Sequence, residues 1–217
     1  MSAANIFVII PVYNDQDMLR TVILSLLNTE SYEIVVVDDG SKENPISQIN
    51  DLPVHFLQHP VNLGQGSALQ TGNEYAFRNG ADYIVHFDAD GQHSAEDIKS
   101  LIAPLLSKKY DICFGSRLLN KEENPLPFLR RIILHVARYL NFCFTGFLLT
   151  DAHNGMRAMT EFAAKKIVIR ENRMAHASEI LFLVKKHRLL FTEAAVHIHY
   201  SPYSKKKGQS SLNSIRI

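Results

Sequence analysis

The chain has 217 residues, 46% of them hydrophobic and 21% charged, with a formal net charge of +1. That size and balance fit one globular domain with a self-sufficient core and give no electrostatic footing for nucleic-acid binding. The two cysteines, Cys113 and Cys143, stand in apolar surroundings without metal-ligand spacing and read as small core residues of a reducing compartment.

Residues 1–5 are too short and uncharged for a signal peptide, so regular structure is expected to begin at Ile6. No uninterrupted apolar run of about 18 residues occurs, so nothing reads as a membrane span. The nearest approach, residues 132–149, is broken by His135, Arg138 and Asn141. The expected location is cytoplasmic, with a peripheral place on the cytoplasmic membrane face as the variant.

Short β-rich runs at residues 6–10, 33–37, 54–57 and 82–87 alternate with helical patterns at 18–27 and 67–78 and a weak turn near 46–49. Ser94, with Asp97 three residues on, has the spacing of a helix cap and predicts a helix to about Leu106. A fifth strand is expected at 111–114. Residues 128–149 then read as a helix with a wide apolar face carrying Arg130, Arg131 and Arg138. A polar turn at 151–157 precedes a short strand and helix. Residues 175–187 read as a further helix, 191–200 as a late strand, and the tail from Pro202 is polar and basic. Strands separated by helices predict an α/β fold: a doubly wound, mainly parallel sheet with helices on both faces.

Ligands of such sheets bind outside the carboxyl ends of the strands. Polar residues gather there: Tyr13-Asn14-Asp15, Asp38-Asp39-Gly40-Ser41, His59 to Gln65, Asp88-Ala89-Asp90 and Gly115-Ser116-Arg117. The sharpest of these is Asp88-Ala89-Asp90, which closes the apolar run 83–87. Two carboxylates held that close repel by roughly 1–4 kcal/mol at effective dielectrics between water and a protein surface. A cation repays that cost. Hard oxygen ligands without cysteine suit Mg²⁺ or Mn²⁺, bound by one or two carboxylates together with substrate phosphates.

A metal-bound diphosphate gives the other strand-end residues work. Asp38 or Asp39 can hydrogen-bond a base or ribose, Gly64 and Gly66 admit close backbone approach, and Arg117 can take phosphate bidentately. Each also has an ordinary reading, as a turn, a loop or a surface ion pair. Neighbouring nucleotide folds are excluded by the first loop. Pro11-Val12-Tyr13-Asn14-Asp15 has no glycine for a dinucleotide, and no G-x-x-x-x-G-K-[ST] run exists.

Taken in order, Ile10-Pro11-Val12-Tyr13-Asn14, Val36 to Ser41, Asn62-Leu63-Gly64 with Gly66, Ala68 and Gly72, Asp88-Ala89-Asp90, Gly115-Ser116-Arg117 and Asp151 to Arg157 resemble the family 2 inverting glycosyltransferases. The nearest branch is similar to dolichyl-phosphate mannose synthase and bacterial polyprenyl-phosphate sugar transferases. The resemblance implies a glycosyltransferase A-type fold over one domain, with residues 1–117 as nucleotide-sugar-binding half and 118–217 as acceptor-binding half. It implies a nucleotide-diphospho-sugar donor, Mg²⁺ or Mn²⁺, and a single inverting displacement. Pro11, Tyr13, Asn14, Asp39, Gly66, Asp88 and Ala89 would then line the nucleotide, with Asp88, Asp90 and Gln92 on the metal.

For a sugar hydroxyl acceptor a carboxylate base is needed, whereas a phosphate acceptor is already ionised. The resemblance points to Asp151 first and Glu179 second as base, with Arg157 placed to hold a phosphate. In the tail, relatives carry an arginine ahead of Gly-x-Ser where this chain has Lys205-Lys206-Lys207-Gly208-Gln209-Ser210. Lys207 can still clamp a diphosphate as a point charge. The expected activity is transfer to a lipid-linked or cell-surface glycan acceptor, beside a small membrane partner. The alternatives are a polyprenyl phosphate as direct acceptor, or a non-catalytic subunit keeping the fold.

Overall fold

The computed structural model describes residues 4–15, 17–119, 149–151, 154–173 and 175–199. The helix expected at 128–149 (its last residue aside), Cys143 and the basic tail with Lys207 lie outside them. Among the described residues no helix is long and apolar enough to cross a membrane.

The chain folds as β1 (Ile6–Val12), α1 (Leu19–Thr29), β2 (Glu33–Asp38), a 3-10 turn (Pro45–Gln48), β3 (His55–Gln58) and α2 (Gln65–Arg78). It continues through β4 (Tyr83–His86), α3 (Asp97–Leu106), β5 (Ile112–Ser116), β6 (Arg157–Thr160), α4 (Glu161–Lys166), α5 (His176–Lys186) and β7 (Phe191–Ala195). The strands form one seven-stranded sheet in the order β3-β2-β1-β4-β6-β5-β7. β1 runs parallel to β2 and β4, β2 to β3, and β5 to β7. The continuous Val/Ile runs of β1 and β2 are what a parallel strand covered on both faces requires.

Each face has its own core. α1 and α3 lay Leu19, Ile23, Leu26, Ile98, Leu101 and Leu105 over Val8, Ile10, Val36 and Val85. On the opposite face, Ala68, Leu69 and Ala76 of α2 and Ile180, Leu181 and Val184 of α5 cover Phe7, Ile9, Val35, Ile84 and Met159. Alternate residues of each strand serve alternate faces, so a one-residue slip would exchange the two cores. The doubly wound expectation holds.

Three local expectations change. β6 enters antiparallel between β4 and β5, pairing His86 with Arg157 and Phe114 with Arg157, so β4 and β5 are not neighbours. Ser94 does not cap α3: the cap position is Glu96 without a side-chain bond, and the Asp97 carboxylate turns to the His197 backbone N–H at 2.6 Å and Nδ1 at 2.7 Å. The late strand is also shorter, since pairing ends at Ala195 and resumes only as a single bridge between His93 and Ile198. In each case a partner distant in sequence outcompeted the local pattern.

Candidate active site

The carboxyl ends of β1 to β5 and the turn leading into β6 meet at one edge of the sheet. There the structure has a cleft of about 350 Å³ lined by Pro11, Val12, Tyr13, Asp15, Asp39, Asn62, Gln65, Asp88, Ala89 and Asp90. Pro11, Tyr13, Asp39, Asp88, Ala89 and Asp90 were expected at such a site. Asp15, Asn62 and Gln65 were named there only as members of strand-end loops, without a role of their own.

Asp39 organises one wall. It is almost fully buried, and its carboxylate accepts from His59 Nδ1 at 2.7 Å, Asn62 Nδ2 and Leu63 N at 3.0 Å, and Gly64 N at 2.6 Å. Four donors on one carboxylate pin the loop between β3 and α2 against the end of β2. Asp38 is buried and bound to Ser41 N and Gln58 Nε2 instead of lining the cleft. Asn14, in left-handed backbone at φ 49, accepts from Lys42 N and takes its own N–H to Ser41 Oγ, tying the β1 loop to the β2 loop. Gly66 serves packing: its N–H donates to the Asn172 carbonyl, and a Cβ there would collide with the Glu171 carbonyl oxygen.

Asp88 and Asp90 stand at the cleft mouth. Asp88 Oδ1 accepts from Gln65 Nε2 at 3.1 Å and Oδ2 from His93 Nε2 at 3.3 Å. Burial pushes the Asp88 carboxyl up, but the His93 hydrogen bond and the electrostatic pull of His93, Arg157 and His176 outweigh it and leave the group below the usual carboxylate range. Asp90 goes the other way. Burial and then the Asp88 charge raise it, against the Gln92 N–H that lowers it. Its carboxylate accepts from the Gln92 backbone N–H at 2.9 Å and from Gln92 Nε2 at 2.7 Å. Gln92 thus presents its amide nitrogen to Asp90 and orients that carboxylate, while its amide oxygen is a separate acceptor.

The chemistry of this pair fits a divalent cation. Two hard carboxylates, one of them destabilised as an anion, open on a cleft without a cationic side chain between them. Among the described residues no group of three or more His, Cys, Asp or Glu forms a closed metal-holding set. The fit is therefore to the open type of site, in which substrate phosphates complete the shell.

The chain leading into β6 passes beside Asp88 at Gly155. Asp151, its side chain fully buried, holds Arg117 bidentately, Nε at 2.6 Å and Nη2 at 2.8 Å, and also accepts the Arg117 backbone N–H at 3.2 Å. Asp151 and Arg117 are brought together, but with each other. Gly155 lies directly under Asp88, where a Cβ would strike the carboxylate. Arg157 is 3% exposed and donates through Nε to the Gly155 carbonyl at 3.1 Å. Burial lowers its guanidinium to about 10, with Asp88 acting in the opposite sense, so it stays charged at neutral pH. Glu179 stands apart in the first turn of α5, where Oε2 accepts the backbone N–H groups of Arg170 and Glu171, each at 2.9 Å.

His176, which interacts electrostatically with Asp88 and Arg157, was missed by sequence reasoning, which has no signal for a lone histidine. Its Nδ1 donates to the Arg173 carbonyl at 2.7 Å, and burial, then the Arg157 charge, lowers its ring.

The family model described as "Glycosyl transferase family 2" matches residues 7–168. An uncharacterized protein of Methanocaldococcus jannaschii is 33% identical over 215 residues, covering 98% of this chain and 88% of that protein. The UDP-N-acetylglucosamine–dolichyl-phosphate N-acetylglucosaminyltransferase of Methanococcus voltae is 32% identical over 232 residues, covering 98% of this chain and 92% of that protein. Among solved structures, glucosyl-3-phosphoglycerate synthase from Mycobacterium tuberculosis, in complex with Mn²⁺, UDP and phosphoglyceric acid, superposes with a TM-score of 0.71 at 15% identity, over 95% of this chain and 74% of that one. Its fold is the same A-type, doubly wound α/β architecture. With that architecture, and a family match across the strand-end motifs, this chain belongs to glycosyl transferase family 2 and is a glycosyltransferase.

Proposed function

We propose that this enzyme moves a sugar from a nucleotide-diphospho-sugar directly onto a polyprenyl phosphate, with Asp88 and Asp90 holding Mg²⁺ or Mn²⁺ against the donor diphosphate. The observation that carries the donor half is the Asp88–Asp90 pair on the cleft, with Asp90 raised by burial and by its neighbour. A divalent cation held there supplies Lewis-acid neutralisation of the charge that builds on the departing diphosphate. The nucleotide lies over Pro11, Tyr13 and Asp39, and Asn62 and Gln65 face the same space.

The acceptor follows from what the carboxylates are doing. A sugar hydroxyl needs a free base within reach. Asp151 has both oxygens on Arg117, and Glu179 is spent on two backbone N–H groups. A phosphate oxygen, already anionic, needs neither. This favours a polyprenyl phosphate over the glycan hydroxyl expected from sequence. The Methanococcus voltae relative is named for a dolichyl-phosphate acceptor, and the solved neighbour holds Mn²⁺, UDP and a phosphate-bearing acid. In this reading residues 1–117 bind the donor, residues 118–217 bind the acceptor, and the enzyme works at a membrane face.

The test is a panel of UDP-, GDP- and dTDP-sugars with Mn²⁺, scored by thermal shift and then by transfer to farnesyl phosphate, farnesol or a free sugar. One donor should raise the melting temperature only with metal, and label should reach farnesyl phosphate alone. Transfer to a hydroxyl acceptor with farnesyl phosphate untouched would reverse the choice of acceptor.

A further inference from the structure

Resting on that reading, the cleft must tell one nucleobase from another, and its aromatic residue does not do so. Tyr13 lines the cleft at 46% exposure, but an aromatic face stacks on every base alike. Discrimination falls to a polar group. The charged and amide side chains on the cleft are Asp15, Asp39, Asn62, Gln65, Asp88 and Asp90. Asp88 and Asp90 belong to the cation. Gln65 donates to Asp88, and the charge of Asp15 acts on Asp90, so both stand with the diphosphate end.

Asp39 is set aside by saturation. A carboxylate offers about four lone-pair sites on its two oxygens. Oδ1 accepts from His59 Nδ1 at 2.7 Å and Leu63 N at 3.0 Å, and Oδ2 from Asn62 Nδ2 at 3.0 Å and Gly64 N at 2.6 Å. The residue is 2% exposed. A base N–H reaching it would have to displace one of those donors, and bonds to an ionised acceptor are among the stronger ones.

Asn62 is left. It is exposed and lines the cleft, and its bond to Asp39 fixes which way the amide faces, because a carboxylate accepts from the nitrogen and repels the oxygen. Oδ1 therefore turns away from Asp39, and the described residues give it no donor. An amide that donates to an anion is polarised by it, which strengthens the oxygen as an acceptor.

We propose that Asn62 reads the nucleobase, Oδ1 taking a ring N–H and the second Nδ2 N–H going to the carbonyl beside it, while Asp39 holds the reader in place without touching the base. Uracil and the six-membered ring of guanine present that N–H and carbonyl side by side. Cytosine in the same pose sets a bare ring nitrogen against Oδ1, acceptor to acceptor. The site therefore favours a uracil or guanine nucleotide over a cytosine one.

The decisive variant is Asn62→Ala. Affinities for UDP, GDP, CDP and inorganic pyrophosphate, each with Mg²⁺, are measured by calorimetry. Wild type should bind UDP or GDP at least about tenfold more tightly than CDP, the usual return on one bidentate amide–base pair. In Asn62→Ala the preference should fall to about threefold or less, with pyrophosphate bound as before. Should the variant not be recovered folded, the Asn62 side-chain amide resonances of the native protein decide, since UDP or GDP with Mg²⁺ must shift them and pyrophosphate with Mg²⁺ must not. A preference kept in the variant, or absent from a wild type that binds these nucleotides, would overturn the proposal and leave the donor reading intact. Equal losses for nucleotides and pyrophosphate would make Asn62 a loop tie alone and overturn it likewise. A wild type that binds none of the three nucleotides would defeat both.

Discussion

Replacing Gly155 with alanine separates the site from the fold. The φ of Gly155 is not in the left-handed region, so alanine is strained there only by what its methyl meets. That is the Asp88 carboxylate, with Oδ2 and Cγ both too close to a Cβ to remain in place. The carboxylate must swing aside and give up its bonds to Gln65 and His93. At a net ~0.5–1.5 kcal/mol for each hydrogen bond, the stability loss is about 1–3 kcal/mol. For a chain of this length each kcal/mol lowers the melting temperature by roughly 2–4 °C. The effect on donor binding is larger, because metal ligands tolerate displacements of only ~0.2 Å. Donor at a hundredfold excess over Kd adds about 2.7 kcal/mol of stability in a competent protein, and most of that should vanish. Gly72→Ala is the control. Its methyl would meet Ile9 in the core under α2, so it should cost a comparable ~1–3 kcal/mol by overpacking while leaving donor affinity unchanged. Thermal shift with and without the donor and Mn²⁺ reads both numbers. If Gly155→Ala binds donor within threefold of wild type, Asp88 does not hold the cation as proposed.

Asp90→Asn should abolish the metal-dependent part of the donor shift without lowering the melting temperature of the free protein, since it removes a carboxylate raised by burial and by Asp88; calorimetric titration with Mn²⁺ measures this. Asp39→Asn puts an amide NH₂ among four donors, so a loss of about 2–4 kcal/mol in urea unfolding is expected, with weakened nucleotide binding. Asp151→Asn should leave donor affinity intact but free Arg117 and reduce transfer; equal loss of donor binding would refute that separation. Burial, then Glu193, pushes the Cys113 thiol up to about 12. In a Cys143→Ser background it should stay unreactive toward a thiol reagent at pH 8, well below that value, and react only on unfolding.

The sequence by itself determined the secondary elements and the edge of the sheet at which the site lies. Short continuous apolar runs and helical stripes are local signals, and the parallel-sheet rule converts their order into a place for Asp39, Asp88 and Asp90. Only the tertiary structure decided the partners. Arg117 and Asp151 are 34 residues apart, Asp97 and His197 100 apart, and β6 inserts backward between two strands that the pattern left adjacent. No local pattern encodes which buried polar group finds an anion, because each carboxylate's choice depends on every donor that packing brings to it. Arg117 found one. Arg157, at the start of β6, has no carboxylate within ion-pair distance among the described residues, and that difference is a property of the folded molecule alone.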